Sequence, residues 1–319
     1  METVSCTARL EHGCSTPEIG AVEARFRAMG SDAHVLATGP DGEAHLATAR
    51  RRIDELESRW SRFLPTSEVS VANRLAGTGE AIRISGDTVA LLERADLAWS
   101  ATGGVWNPLL GQRLAALGYD RSFDTGLATA EAVPAAAEAV GMDAIDFDLA
   151  SGALSLPAGV GLDLGGIAKG FAADLVTAEL LAAGAWGALV SLGGDLRVRG
   201  MSPTGLDWGV TIDEPAIGRP ELTVVRLTEG GLATSTTARR RWPSGTAEQH
   251  HHLLDPATSR PADTNIVLTA AIAGSAWWAE VCATASTIDP TLELPSYAAL
   301  QVDRSGQVTR TVNFSRYES

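Results

Sequence analysis

The sequence predicts an α+β protein, with helices inserted among mixed and antiparallel sheets. Two observations lead to this fold class. Short runs with strand composition, several of them paired as hairpins, dominate the second half of the chain. Helical patterns lie among these runs but do not alternate with them one by one, as a series of βαβ units requires.

The first predicted elements are an interrupted strand and an amphipathic helix. Residues 24–38 have strand composition and are broken near Met29-Gly30, which predicts a turn between two strands. Residues 42–63 predict a helix, because apolar residues recur at spacings of three, four or seven: Leu46, Ala49, Ile53, Leu56, Trp60 and Phe63. Ser67 is suited to cap a short helix that follows.

The remaining elements continue this mixture. A strand over 81–85 precedes a helix that ends before Gly103-Gly104, and residues 144–156 alternate as a hairpin with a Ser-Gly turn. Helices are predicted over 167–183 and over the Trp-rich stretch 275–287. The other strands are predicted at ALVSLGGDLRVRG, DWGVTID, LTVVRLT, HHLLD, NIVLTAAIA, YAALQVD and QVTRTVNF. No linker divides the chain, so we predict one domain over 24–319 behind a flexible tail over 1–23.

The composition limits the classes of partner. The 319 residues carry a formal net charge of −14, and 45% of them are hydrophobic. Such a charge repels nucleic acid and anionic membrane surfaces, so neither a nucleic-acid partner nor membrane insertion is expected. No stretch reaches the ~18 apolar residues of a membrane span, and the N-terminal sequence has no signal-peptide pattern. A cytoplasmic location is therefore expected.

A glycine-rich stretch, GLDLGGIAKGFAAD at 161–174, leads into one of the predicted helices. Glycines before a helix often bring the backbone close to phosphate. The spacing fits neither a Walker A loop, because Gly170 follows Lys169, nor a GxGxxG dinucleotide fingerprint. Taken alone, the stretch favours tight packing of a helix on a strand over phosphate binding.

Three further stretches carry polar residues suited to chemistry. Paired glycines interrupt a strand in SLGGD, and Asp195 follows them directly. His252 and Asp255 precede a Pro-bounded turn and suit either a general base with its orienting carboxylate or a loop hydrogen bond. Glu280 and Thr284 are four residues apart on a helix, so they share one face and offer oxygen ligands for a hard cation. Each pattern is weak when taken alone.

Seven motifs occur together in an order that resembles the ApbE-like flavin transferases (FAD:protein FMN transferases) from about Met29 to Thr287. They are AMGS around Met29, SRFLPTSEVSVANR (61–74), GGVWNP (103–108), DLGGIAKGFAAD (163–174), SLGGD (191–195), HHLLDPATSRP (251–261) and AEVCATA (279–285). The resemblance implies a T-fold-related α+β architecture. It also implies Mg²⁺-dependent transfer of FMN from FAD to a Thr or Ser hydroxyl of an acceptor protein, releasing AMP. Some family members instead hydrolyse FAD to FMN and AMP.

The resemblance also assigns roles to residues. His252 matches the histidine that activates the attacking hydroxyl. FAD contacts are implied for Met29, Phe63, Val105, Trp106, Asn107, Asp163, Lys169 and Leu254. Metal ligands are implied at the carbonyls of Gly166 and Ala283 and at the side chains of Glu280 and Thr284.

Two residues depart from the family pattern. Glu280 and Asn107 both stand where Asp is usual. Three alternatives to the transferase therefore stay open: an FAD pyrophosphatase, a non-catalytic FAD-binding protein and a structural domain that binds no flavin.

Overall fold

An antiparallel sheet of eight strands forms the centre of the computed structural model, which describes residues 20–123, 139–214, 217–243 and 249–318. In chain order the elements are β1 (Ala21–Ala28), β2 (Ser31–Thr38), α1 (Gly42–Trp60), α2 (Glu68–Leu75), β3 (Ile82–Arg83), α3 (Gly86–Ala101), α4 (Gly111–Ala116), β4 (Asp146–Asp148), β5 (Ala153–Ser155), α5 (Ala168–Ala182), β6 (Gly187–Leu192), β7 (Asp195–Gly200), β8 (Trp208–Glu214), β9 (Arg219–Leu227), β10 (Gly230–Thr236), β11 (Arg241–Pro243), β12 (Gln249–His251), β13 (Leu254–Asp255), β14 (Arg260–Pro261), β15 (Ile266–Ala273), α6 (Ala276–Ile288), β16 (Tyr297–Asp303) and β17 (Val308–Arg310).

The strands of the central sheet lie in the order β1-β2-β6-β7-β10-β15-β16-β17, and each neighbouring pair is antiparallel. Smaller sheets join β3, β5 and β4, and β8 with β9. This arrangement confirms the α+β class.

Both faces of the sheet are covered. Alternate residues of a strand point to opposite faces, so Val35 and Val190 pack beneath the helices while Leu36 and Leu189 pack beneath the β8–β9 hairpin. The central strands are therefore buried on both sides, which explains why their sequences are continuously apolar.

Helices α5 and α6 pack against each other with their backbones in close contact. A Cβ atom placed on Gly170 would lie 2.5 Å from the carbonyl oxygen of Ala276, so only glycine allows this approach. Asp174 of α5 accepts hydrogen bonds from the backbone N–H groups of Ala276 and Trp277, both at 3.0 Å. These bonds satisfy donors that the first turn of α6 leaves free. The two contacts fix the position of α6 relative to α5.

The sequence predictions agree with most elements and differ at several ends. The strand break at Met29-Gly30, the Ser67 cap and the hairpin at 144–156 are confirmed. Helix α1 ends at Trp60 instead of residue 63, because Ser61 is extended. The predicted tail was too long, since β1 begins at Ala21, and its residues 1–19 lie outside the described part. Helix α4 was not predicted.

No helix in the described ranges is both long and apolar enough to cross a membrane.

Candidate functional site

Several of the sequence motifs converge where the β1–β2 and β6–β7 turns meet the start of α5. The backbone N–H of Gly193 donates to the carbonyl of Asp32 at 2.8 Å, which ties the two turns together. A Cβ atom on Gly193 would lie 2.9 Å from the side chain of Ser31 and 3.7 Å from Cδ of Lys169. The paired glycines of SLGGD therefore form a hairpin turn, with both residues at positive φ, rather than a bulge. This turn lies against the glycine-rich motif.

Lys169 lies at the centre of this region and joins α5, β7 and α6. Its ammonium contacts Oδ2 of Asp195 at 2.9 Å, the carbonyl oxygen of Gly165 at 2.9 Å and the carboxylate of Glu280. The side chains of Lys169, Asp195 and Glu280 are 12%, 4% and 4% exposed. A charged cluster this deeply buried is stable only because its members pair with one another.

Burial and charge oppose each other in the Lys169–Glu280 pair. Burial lowers the pKa of Lys169, but the charges of Asp195 and Glu280 outweigh it and raise that pKa above its ordinary value. Burial raises the pKa of Glu280 to about 8, against the effect of Lys169. The two shifts disagree about Glu280 at neutral pH, since Lys169 gains only from an ionised partner. Geometry favours the ion pair, because Glu280 also accepts from the Gly170 N–H at 2.8 Å.

The predicted metal ligands all present oxygen atoms, and each already has one partner in the protein. The carbonyl of Gly166 accepts from Nε1 of Trp106 at 3.2 Å, and that of Ala283 accepts from the Thr287 hydroxyl at 2.8 Å. The Thr284 hydroxyl is 2.8 Å from that of Ser235.

Each of these oxygens keeps a lone pair for a cation, so the donor set fits a hard divalent ion. Among the described residues, no group of three or more His, Cys, Asp or Glu side chains could hold a metal. A metal here would therefore depend on carbonyl and hydroxyl oxygens beside Glu280.

Phe63 and Asp163, two predicted FAD contacts, are joined by Arg62. Nε of Arg62 is 2.9 Å from Oδ2 of Asp163, and its guanidinium carbon lies 4.2 Å from the ring centroid of Phe63. The same guanidinium lies 4.5 Å from the ring centroid of Tyr119 and donates to the Tyr119 carbonyl at 2.8 Å. Leu254 belongs to the same apolar cluster as Phe63 and Tyr119. Arg62 thus ties an aromatic surface to the start of the glycine-rich motif.

The other predicted FAD contacts differ in how free their side chains are. Trp106 is buried, and Met29 and Val105 pack against the helix-face core. Asn107 donates to the Val140 carbonyl at 3.0 Å and accepts from the Leu109 N–H at 2.8 Å. Its amide therefore braces its own loop.

His252 is partly buried, and its Nδ1 atom has no hydrogen-bond partner within the described ranges. Burial lowers the pKa of His252 well below 6.5, and the nearby positive charges of Arg240, His251 and Lys169 lower it further. The imidazole is therefore neutral at pH 7. Asp255 does not orient it, because its carboxylate accepts from the Ala257 N–H and the Thr258 hydroxyl, both at 3.0 Å. Of the two interpretations of this pair, the loop hydrogen bond is the correct one for Asp255.

Sequence reasoning did not assign roles to Arg62, Asp195 or Ser235. Arg62 lies inside one of the seven motifs, next to Phe63, and Asp195 directly follows paired glycines. Those positions were the available signals. Ser235 had no local signal, because its contact with Thr284 joins residues 49 positions apart.

Comparisons with known proteins agree with this arrangement. Residues 29–304 match the model of the ApbE family. A protein named FAD:protein FMN transferase from Treponema pallidum is 31% identical over 276 residues, covering 79% of this chain and 73% of the relative. One with the same name from Vibrio cholerae is 23% identical over 278 residues, covering 85% and 82%.

Solved structures match the fold over nearly the whole chain. The ApbE protein of Thermotoga maritima has a TM-score of 0.83 at 23% identity, covering 94% of this chain and 100% of that one. The flavinyl transferase ApbE of Pseudomonas stutzeri has a TM-score of 0.78 at 22% identity, covering 95% and 98%. Given the family match over most of its length, the chain belongs to the ApbE family.

Proposed function

We propose that this protein transfers FMN from FAD to a Thr or Ser hydroxyl of an acceptor protein in a Mg²⁺-dependent reaction that releases AMP. The observation that carries the proposal is the convergence of a neutral His252, a buried cation–carboxylate cluster and the oxygen ligands of α6 in a chain of this family. The relatives named FAD:protein FMN transferase support the same activity. The cytoplasmic location expected from the sequence stays a prediction.

The reaction exchanges one phosphorus–oxygen bond for another. The acceptor hydroxyl attacks the FMN phosphorus, the bond to the bridging oxygen breaks, and AMP leaves with that oxygen. His252 takes the hydroxyl proton, and its lowered pKa keeps the imidazole in the basic form at neutral pH. Phe63 and Asp163, held by Arg62, would bind and orient the dinucleotide.

Glu280, Thr284 and the carbonyls of Gly166 and Ala283 would hold the divalent ion. When bound, Mg²⁺ neutralises charge on the diphosphate and favours departure of AMP. Local positive charge is needed in a protein with a net charge of −14.

Mass spectrometry of candidate acceptors incubated with the protein, FAD and Mg²⁺ tests the proposal. The expected result is an FMN adduct on Thr or Ser, with AMP formed in equal amount. Release of free FMN without any adduct would instead identify a pyrophosphatase, and unchanged stoichiometric FAD would identify a non-catalytic binding protein.

Two variants test the residue roles. His252→Ala should depress transfer and leave FAD binding largely intact, whereas His45→Ala, in α1, serves as the matched control. Glu280→Ala should weaken the Mg²⁺ dependence, and Glu280→Asp, which restores the usual family residue, should retain it. A metal titration that Glu280→Ala leaves unaltered would refute the ligand assignment.

A further inference from the structure

Lys169 is the only lysine of the chain; the other 24 of its 25 Lys and Arg residues are arginines. A lysine differs from an arginine in carrying a compact charge with three donors that can point in three directions. At position 169 all three directions are used, toward Gly165, Asp195 and Glu280. A planar guanidinium does not match three oxygens arranged around a point.

The oxygens around Lys169 are those that a hard cation takes. Two are carboxylates and one is a backbone carbonyl, which is the donor type of calcium and magnesium sites. Glu280 belongs both to this set and to the proposed metal ligands, and its second oxygen is held by the Gly170 N–H at 2.8 Å. The ammonium and a divalent ion therefore compete for the same carboxylate.

We propose that Lys169 is a positioning residue that exchanges with the divalent ion. In the metal-free protein its ammonium acts as a stand-in cation that holds Glu280 and Asp195 together. When Glu280 turns to the ion, Lys169 is released from it and its freed donors face the anionic diphosphate. This inference rests on the proposed function, and within it on metal binding at Glu280.

Charge balance supports the exchange. Without metal, one ammonium and two carboxylates leave the buried cluster with one negative charge. With a divalent ion added, the cluster carries one net positive charge. That sign suits an anionic diphosphate in an acidic protein, and the ammonium moves away from the ion because like charges repel.

A protein with a single lysine gives a direct readout of this movement. Uniform incorporation of ¹⁵Nζ-labelled lysine produces one side-chain NMR signal, which stays visible only while the ammonium protons are protected by hydrogen bonds. We expect this signal in the metal-free protein. Titration with MgCl₂ should shift or broaden it saturably, with the dissociation constant that calorimetry gives for Mg²⁺. Glu280→Gln is the matched control, in which MgCl₂ should not move the signal.

Lys169→Met provides a second measurement. Removing the competing cation should tighten Mg²⁺ binding roughly tenfold, the amount expected if the Lys169–Glu280 pair occupies about 90% of the metal-free population. Tighter binding together with a moving lysine signal supports the exchange. If Lys169→Met does not fold, the signal of the unmodified protein decides alone.

A lysine signal that stays unchanged while Mg²⁺ binds would overturn the exchange, whatever the affinity of the variant. The FMN-transfer assay separates the two proposals. An unmoved signal with FMN transfer intact overturns only the exchange. Absence of both Mg²⁺ binding and transfer overturns the exchange and the proposed function together.

Discussion

Acidification should destabilise the protein through His251, the neighbour of the predicted catalytic histidine. His251 ends β12 and is 8% exposed, and its Nδ1 atom has no hydrogen-bond partner among the described residues. Burial lowers the pKa of His251 from 6.5 to about 4, helped by the positive charges of Arg241 and Arg304 and opposed by a hydrogen bond with the backbone of Ala262.

The sign of the effect follows from proton binding. Between pH 6.5 and 4 the unfolded chain binds a proton at His251 that the folded protein does not, so acid favours unfolding. The contribution to stability is fully present above pH 6.5 and is lost as the pH falls toward 4. Integrating the shift at 1.36 kcal/mol per pKa unit gives a loss of about 3 kcal/mol at pH 4. This is a large part of the 5–15 kcal/mol typical of a domain.

Urea unfolding of the unmodified protein and of His251→Asn at pH 7.5, 6 and 4 measures this contribution. Because carboxylates titrate in both proteins, the difference between the two pH profiles isolates His251. The variant should lose about 3 kcal/mol less than the unmodified protein between pH 7.5 and 4. Parallel profiles would refute the reasoning, since they would mean that burial does not disfavour the charged ring.

Two other substitutions probe packing around the site. Arg62→Met leaves Asp163 without its ionic partner and should cost roughly 3 kcal/mol in urea unfolding and weaken FAD binding, measured by flavin fluorescence; the more exposed Arg59→Met should cost less than about 1 kcal/mol. Equal losses for both arginines would contradict this. Gly170→Ala places a Cβ atom 2.5 Å from a backbone carbonyl oxygen of α6 and should lower the melting temperature by overpacking worth about 1–3 kcal/mol. Gly86→Ala, with open space at the start of α3, should not; a Gly170→Ala protein as stable as the unmodified one would show that α5 and α6 can separate freely.

Local patterns in the sequence were enough to identify much of the candidate site. The Glu280–Thr284 spacing predicted one helix face, and α6 has both residues within its bounds. The paired glycines before Lys169 were assigned two meanings, phosphate approach or tight packing. At Gly170 the packing interpretation is correct, because the glycine meets the backbone of α6.

Other features required the folded chain. The ion pair of Arg62 with Asp163 and the Lys169–Asp195–Glu280 cluster join residues that are far apart in sequence. Hydrophobic periodicity reports which face of an element is buried, but not which element covers it. Asn107 shows the same limit, since only the folded loop reveals that its amide is occupied by backbone groups.

By itself the sequence determined the α+β class, the order of most strands and helices, and the residues that mark the family, because these depend on near neighbours along the chain. The tertiary structure alone decided which charges meet. The close approach of α5 and α6, set by Gly170 and the Asp174 cap, brings Lys169 to Glu280, and the β6–β7 turn adds Asp195. Such contacts depend on packing between distant segments, which no local pattern encodes.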